Sequence, residues 1–194
     1  MHEIRFHGRG GQGTVVAAIL LSKAFFQAGF YVQSFPSFGV ERRGAPVEAY
    51  LRIGSNKILA RTTITAPDHI LVQDIRLMQT MDVTQGMQAG GWALLNAPAG
   101  SDFGHLFSDF RLASIDATRI AVENGLGTRT HPVVNTAMIG AFARIMQMPP
   151  IDMIVDAIKT DIAVKPEKNA QSALQAFESV IVHEPPQAGK QKRG

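Results

Sequence analysis

Residues Glu3 to His7 alternate. Ile4 and Phe6 fall on one side, and Glu3, Arg5 and His7 on the other, which predicts a strand. A glycine-rich string, Gly8-Arg9-Gly10-Gly11-Gln12-Gly13, follows. Thr14 then opens VVAAILLSKAFFQAGF, which predicts a helix as far as Gly29. Its only clearly polar residues are Ser22, Lys23 and Gln27, so this helix is expected to be buried on most sides. Tyr31 to Phe35 predicts a second strand, completing a β-turn-α-β unit with a right-handed crossover.

Pro36 to Pro46 reads as a loop, and Val47 to Ile53 alternates cleanly. Turn chemistry at Gly54-Ser55-Asn56-Lys57, followed by Ile58 to Ala60, predicts a hairpin. Such a hairpin makes the sheet mixed, because a purely parallel one has no place for it. Further strands are predicted at His69 to Gln73, Trp92 to Asn96 and Ala113 to Asp116. Further helices are predicted at Arg76 to Gln88, Thr118 to Asn124, Asn135 to Met148, Ile151 to Thr160 and Pro166 to Val182. Pro98 to Phe110 reads as a loop. The pattern is that of an α/β protein: a Rossmann-like three-layer domain with a mixed, mostly parallel sheet and an added β-hairpin.

At 194 residues, 45 % of them hydrophobic, the chain has material for one core, expected over residues 1–184. Residues 185–194, rich in Pro, Gln, Gly and Lys, read as a flexible basic tail. The net charge of +3 is carried by Lys190, Lys192 and Arg193; without them the basic residues equal the 16 acidic ones. A neutral body with no basic stripe argues against nucleic acid. No apolar run reaches the length of a membrane span, and the first residues lack a signal-peptide layout, so a cytoplasmic protein is expected. With no cysteine, the chain has neither disulfides nor thiolates for an iron–sulfur cluster.

Two stretches carry candidate chemistry. In the first, Gly8, Gly10 and Gly13 satisfy G-x-G-x-x-G, and such a turn lets backbone amides approach a phosphate at the helix start. The acid that would hold a dinucleotide's ribose is missing, since the second strand ends Val32-Gln33-Ser34-Phe35. A tight turn that only packs a helix on a sheet is the alternative. In the second, the loop Phe38 to Pro46 sets Arg42 and Arg43 beside Glu41, bracketed by Gly39 and Gly44. Adjacent guanidinium groups suit a forked, charge-assisted contact with an anion. A solvated Glu–Arg pair is the alternative there. The six histidines show no metal-ligand spacing, no serine sits in a nucleophile elbow, and Asn135 stands where it would cap a helix.

The strings GRGGQGT at Gly8 to Thr14 and FPSFGVERRGAPV at Phe35 to Val47 resemble the gamma subunit, or gamma domain, of the 2-oxoacid:ferredoxin oxidoreductases. Weaker matches are Pro67-Asp68, Ile115-Asp116-Ala117-Thr118, and Asn135-Thr136 with Gly140-Ala141-Phe142, so that the resemblance runs from about residue 4 to 180. It implies one subunit of a complex that oxidatively decarboxylates a 2-oxoacid to an acyl-CoA. Thiamine diphosphate with Mg and the iron–sulfur clusters would reside in alpha, beta and delta-type partners, and electrons would pass through them to ferredoxin or another acceptor. Coenzyme A would be the co-substrate. The chain has no GDG-initiated metal–diphosphate motif, so by this resemblance it holds no cofactor and no catalytic residue of its own and is inactive alone. The residues implied at a cofactor-binding or interface site are Gly10, Gly11, Gln12 and Gly13, with Glu41, Arg42, Arg43 and Gly44. ERRGAPV is nearer the pyruvate-type members than the Glu-x-Arg-Gly-Gly of the 2-oxoglutarate type. The competing readings are a stand-alone dinucleotide-binding Rossmann protein and a scaffold subunit without site residues.

Overall fold

The alternation in the first strand divides it between two faces. Ile4 and Phe6 enter an apolar core with the helices, while Arg5 and His7 are buried on the opposite face. The computed structural model describes residues 1–37 and 44–184. Its order is β1 (His2–Arg9), α1 (Thr14–Gln27), β2 (Tyr31–Pro36), β3 (Pro46–Gly54), β4 (His69–Val72), β5 (Trp92–Asn96), β6 (Arg111–Ile115), α2 (Ala117–Glu123), α3 (Asn135–Met146), α4 (Ile151–Asp161), α5 (Pro166–Ser179) and β7 (Ile181–Val182). The strands form one seven-stranded sheet in the order β2-β3-β1-β4-β5-β6-β7. β1, β4, β5 and β6 pair in parallel. β3 runs antiparallel between β2 and β1, and β7 lies antiparallel on β6. The sheet is therefore mixed and mostly parallel, in an α/β fold.

The five α-helices among the described residues bury apolar residues in one cluster against one face of the sheet, though Val16, Ile19 and Phe26 of α1 stay exposed. The other face is covered by loops and two 3₁₀ turns, Ile75–Gln79 and Gly104–Leu106. These bring Leu77, Val83, Met87 and Phe107 onto Ile70, Val72, Ala93 and Leu95. The third layer is irregular chain, not helix.

Four local expectations are corrected. Ile58 to Ala60 is not a strand. β3 is already paired along both edges, from His2↔Ile53 to Arg9↔Pro46 and from Tyr31↔Gly54 to Pro36↔Ala49, so the returning segment has no edge to join. The added hairpin is β2–β3. The helix expected over Arg76 to Gln88 shrinks to the turn Ile75–Gln79. Leu77 and Val83 are both buried, yet on a helix they would point about 120° apart, wider than an apolar stripe of about 100°. Asp82 also turns the chain by accepting the Thr84 N–H at 2.9 Å. The last helix stops at Ser179, because β-branched Ile181 and Val182 pair with Ser114 and Ala113. Finally, Gly8 and Arg9 belong to β1, so the turn proper begins at Gly10.

Candidate functional site

From β1 the chain crosses to β2 and β3 on one side, then returns to β4 on the other. The sheet order thus reverses beyond the carboxyl ends of β1 and β4, where α/β sheets hold ligands. The Gly10–Gly13 turn leaves β1 there, and Gln73 and Asp74 directly follow β4 beside it. A cleft of about 970 Å³ opens at this edge, with Arg9, Arg76, Arg119 and Arg129 set against Asp74 and Asp116.

The turn is held from within. Gln12 folds back so that its N–H donates to the Arg9 carbonyl at 3.0 Å and its Oε1 accepts the Arg9 N–H at 2.8 Å. Gly11 and Gly13 take left-handed φ of 98° and 78°. A side chain at Gly13 would also meet the Asn135 carboxamide, at 2.5 Å from Nδ2. Asn135 is therefore not the cap of α3. Val134 is the cap residue, and Asn135 stands in the first turn against the glycine. Below the turn, the Thr14 hydroxyl donates to Gln73 Oε1 at 2.7 Å. The buried Gln73 Nε2 has no hydrogen-bond partner among the described residues.

The two sequence motifs meet at this edge. Gly10 N–H donates to the Ala45 carbonyl at 2.9 Å, and Gly44 N–H to the Gly10 carbonyl at 3.2 Å. These bonds extend the β1–β3 ladder past its last pair, Arg9↔Pro46. Gly44 thereby joins Gly10, Gly11 and Gln12 along the cleft, while Gly13 sits behind it on Asn135. Glu41, Arg42 and Arg43 lie outside the described residues.

Sequence reasoning passed over Arg9, Asp74 and Arg76. Asp74 is buried and accepts from both arginines. Its Oδ2 takes Arg9 Nε at 3.0 Å and Arg76 Nη2 at 2.6 Å, and its Oδ1 takes Arg76 Nε at 2.9 Å. Burial opposes the charge on Asp74, but the hydrogen bonds from Arg76 and the two guanidinium charges outweigh it and hold the carboxyl below its ordinary range. The available signal was an Asp-x-Arg directly after an apolar strand. The far wall, Arg129 to Pro132, follows Gly127, which bridges to Pro132.

A second polar cluster lies on the loop-covered face, at the root of the arginine loop. Arg5 Nε donates to His7 Nε2 at 3.0 Å, His7 Nδ1 lies 3.2 Å from Glu48 Oε1, and the Tyr50 hydroxyl donates to Glu48 Oε2 at 2.6 Å. The His7–Glu48 approach is bent and is electrostatic more than a formed hydrogen bond. The His7 imidazole and then the Tyr50 hydroxyl hold the Glu48 carboxyl down at about 2, against the cost of burial. Burial and Glu48 push the Tyr50 hydroxyl up to about 12. The Glu48 carbonyl accepts the Ser37 N–H at 3.0 Å, immediately before the loop.

The dinucleotide reading loses its geometry. β3 lies between β1 and β2, so the end of the second strand stands about 10 Å from β1, two strand spacings away. Among the described residues, no group of three His, Asp or Glu side chains is placed to hold a metal ion. No helix among them is long and apolar enough to cross a membrane.

Residues 3–181 match the family model of the pyruvate ferredoxin/flavodoxin oxidoreductases. The chain is 44% identical to the pyruvate synthase subunit PorC of Methanothermobacter thermautotrophicus, over 93% of this chain and 96% of that protein. It is 44% identical to the pyruvate/ketoisovalerate oxidoreductases common subunit gamma of Thermococcus kodakarensis, over 95% of this chain and 100% of that one. Among solved structures, the pyruvate oxidoreductase subunit PORC of Thermotoga maritima superposes with a TM-score of 0.78 at 30% identity, over 94% of this chain and 98% of that chain. The two motifs joined at Gly10 and Gly44 therefore stand on a shared fold and a shared sequence: this chain belongs to the pyruvate ferredoxin/flavodoxin oxidoreductase family.

Proposed function

We propose that this chain is the gamma subunit of a multi-subunit 2-oxoacid:acceptor oxidoreductase. The assembled enzyme converts pyruvate and coenzyme A to acetyl-CoA and carbon dioxide, and passes two electrons to ferredoxin or another acceptor. Thiamine diphosphate with Mg, which supplies the decarboxylation chemistry, and the iron–sulfur clusters belong to alpha, beta and delta-type partners. The chain has no cysteine to ligate a cluster, and on this reading it is inactive alone. The Thermococcus relative is named as a gamma subunit common to a pyruvate and a ketoisovalerate enzyme. That favours placing the choice of 2-oxoacid in other subunits.

The chain's own part is to hold the phosphate groups of coenzyme A at the cleft. One observation carries this: the glycine turn and the end of the arginine loop are hydrogen-bonded together at the edge where Arg9 and Arg76 converge. The donor set suits the ligand, because the guanidinium groups of Arg76, Arg119 and Arg129 line the cleft and phosphate oxygens accept from such groups. The cleft volume of about 970 Å³ admits a nucleotide-sized molecule.

The test is reconstitution with the partner subunits and a viologen dye as acceptor. The isolated chain is expected to show no pyruvate-dependent reduction, and the full complex to show it. Arg76→Ala in that complex should raise KM for coenzyme A about fivefold and leave KM for pyruvate unchanged. Turnover by the chain alone would refute the division of labour. An unchanged KM for coenzyme A in both Arg76→Ala and Arg129→Ala would refute the cleft assignment.

A further inference from the structure

We infer that Arg9 is a positioning residue. Anchored by Asp74, it locks the glycine turn to the end of the arginine loop, so that both face the same anion. The inference rests on the reading of the cleft as the coenzyme A phosphate site.

Arg9 is held through both its backbone and its guanidinium. Its backbone N–H and carbonyl are both taken by Gln12. Its Nε is taken by Asp74, and its Nη1 donates to the Gly44 carbonyl at 3.1 Å. Gly44 directly follows Arg43 in the chain. One planar guanidinium thus ties three segments together: the turn, the end of β4, and the return of the loop into β3. The Arg9 side chain is 26% exposed, whereas that of Arg76 is 69% exposed on the same carboxylate. Asp74 therefore carries two arginines with different tasks. Arg76 is presented outward to a ligand, and Arg9 is turned inward as the fastening. A lysine has a single point-like head and cannot reproduce two bonds at the fixed angle of Nε and Nη1.

The expected response runs against simple electrostatics. Asp74→Asn removes a negative charge beside an anion site, which by itself would tighten an anion. If Asp74 works by ordering Arg9 and Arg76, the same change weakens it. The experiment uses the assembled complex, with pyruvate-dependent dye reduction measured against coenzyme A concentration. The variants are R9M, R9K, D74N, the double variant R9M/D74N, and R76A and R129A as controls.

R9M is expected to raise KM for coenzyme A about tenfold, with kcat within about twofold and KM for pyruvate unmoved. R9K should not restore it. D74N should also raise KM, and the double variant should fall short of the product of the two single effects, since both cut the Arg9–Asp74 link. A fall in KM in D74N would make Asp74 a competing charge only and overturn the inference. So would rescue by R9K, or effects that multiply in the double variant. If R9M blocks assembly, judged by co-elution of the subunits, D74N made in the R76A background and compared with R76A decides, because there Asp74 holds only Arg9 of the two arginines and β1 is untouched. An unchanged KM there overturns the inference. If R76A raises KM while R9M and D74N do not, the positioning role fails and the cleft assignment stands. If none of them moves it, and R129A does not either, the cleft assignment itself fails.

Discussion

Replacing Glu48 by Gln tests the polar cluster beneath the arginine loop. The change keeps size and shape and removes the charge that His7 and the Tyr50 hydroxyl stabilise. The Glu48 carboxyl moves from an ordinary 4.5 to about 2 on folding. Each tenfold change in proton affinity is worth about 1.4 kcal/mol, so the drop corresponds to about 3 kcal/mol. The carboxylate is 25% exposed and its approach to His7 is bent, so about 2 kcal/mol is the better expectation. The folded form releases the Glu48 proton more readily than the unfolded one. The stabilisation is therefore complete above about pH 5 and is lost as pH falls from about 4.5 toward 2. Glutamine has no such proton. Urea unfolding of wild type and E48Q should differ by about 2 kcal/mol at pH 7 and by about half of that at pH 3.5. The other carboxylates titrate equally in both proteins and cancel in the difference. A gap of the same size at both pH values, or none at pH 7, would refute the assignment of the charge to this cluster.

Other perturbations have equally definite outcomes. Gly140→Ala would drive a methyl group into the Ala173 carbonyl and within 2.8 Å of its Cα, forcing α3 from α5. It should destabilise by about 3 kcal/mol, read as a drop in thermal midpoint. Gly13→Ala must adopt φ of 78° and displace the Asn135 carboxamide; it should cost about 2 kcal/mol, part of which the added change Asn135→Ala returns. Burial holds the His69 imidazole at about 4, below its usual 6.5, while its Nδ1 accepts the Trp92 N–H at 3.1 Å. The unfolded chain therefore binds the extra proton first, and stability falls as pH drops from about 6.5 to 4. His69→Gln, which keeps an acceptor, should remove about 2 kcal/mol of that fall in urea titrations at pH 7 and pH 4.5.

Local pattern was enough for β1, α1, β5 and the start of α3. Each is specified by neighbours within a few residues: alternation at Glu3–His7, the apolar run after Thr14, and the glycine or proline punctuation at Gly29, Gly91 and Pro132. The glycine turn was legible for the same reason, since left-handed backbone at Gly11 and Gly13 is a property of those residues alone. Alternation also says which residues of a strand share a face, and it did so for β3. It does not say which strand lies alongside. That β3 enters between β1 and β2, that Ile58–Ala60 finds no edge, and that Ile181–Val182 joins β6 depend on pairings between residues tens of positions apart. The same holds for the site. Arg9 and Asp74 are 65 residues apart and Arg9 and Gly44 are 35 apart, so no window along the chain contains the contact. Side-chain chemistry fixes what each group can bind. Only closure of the sheet, which brings the ends of β1, β3 and β4 to one edge, determines which groups meet, because hydrogen bonds and ion pairs act over a few ångströms of space and are indifferent to distance along the chain.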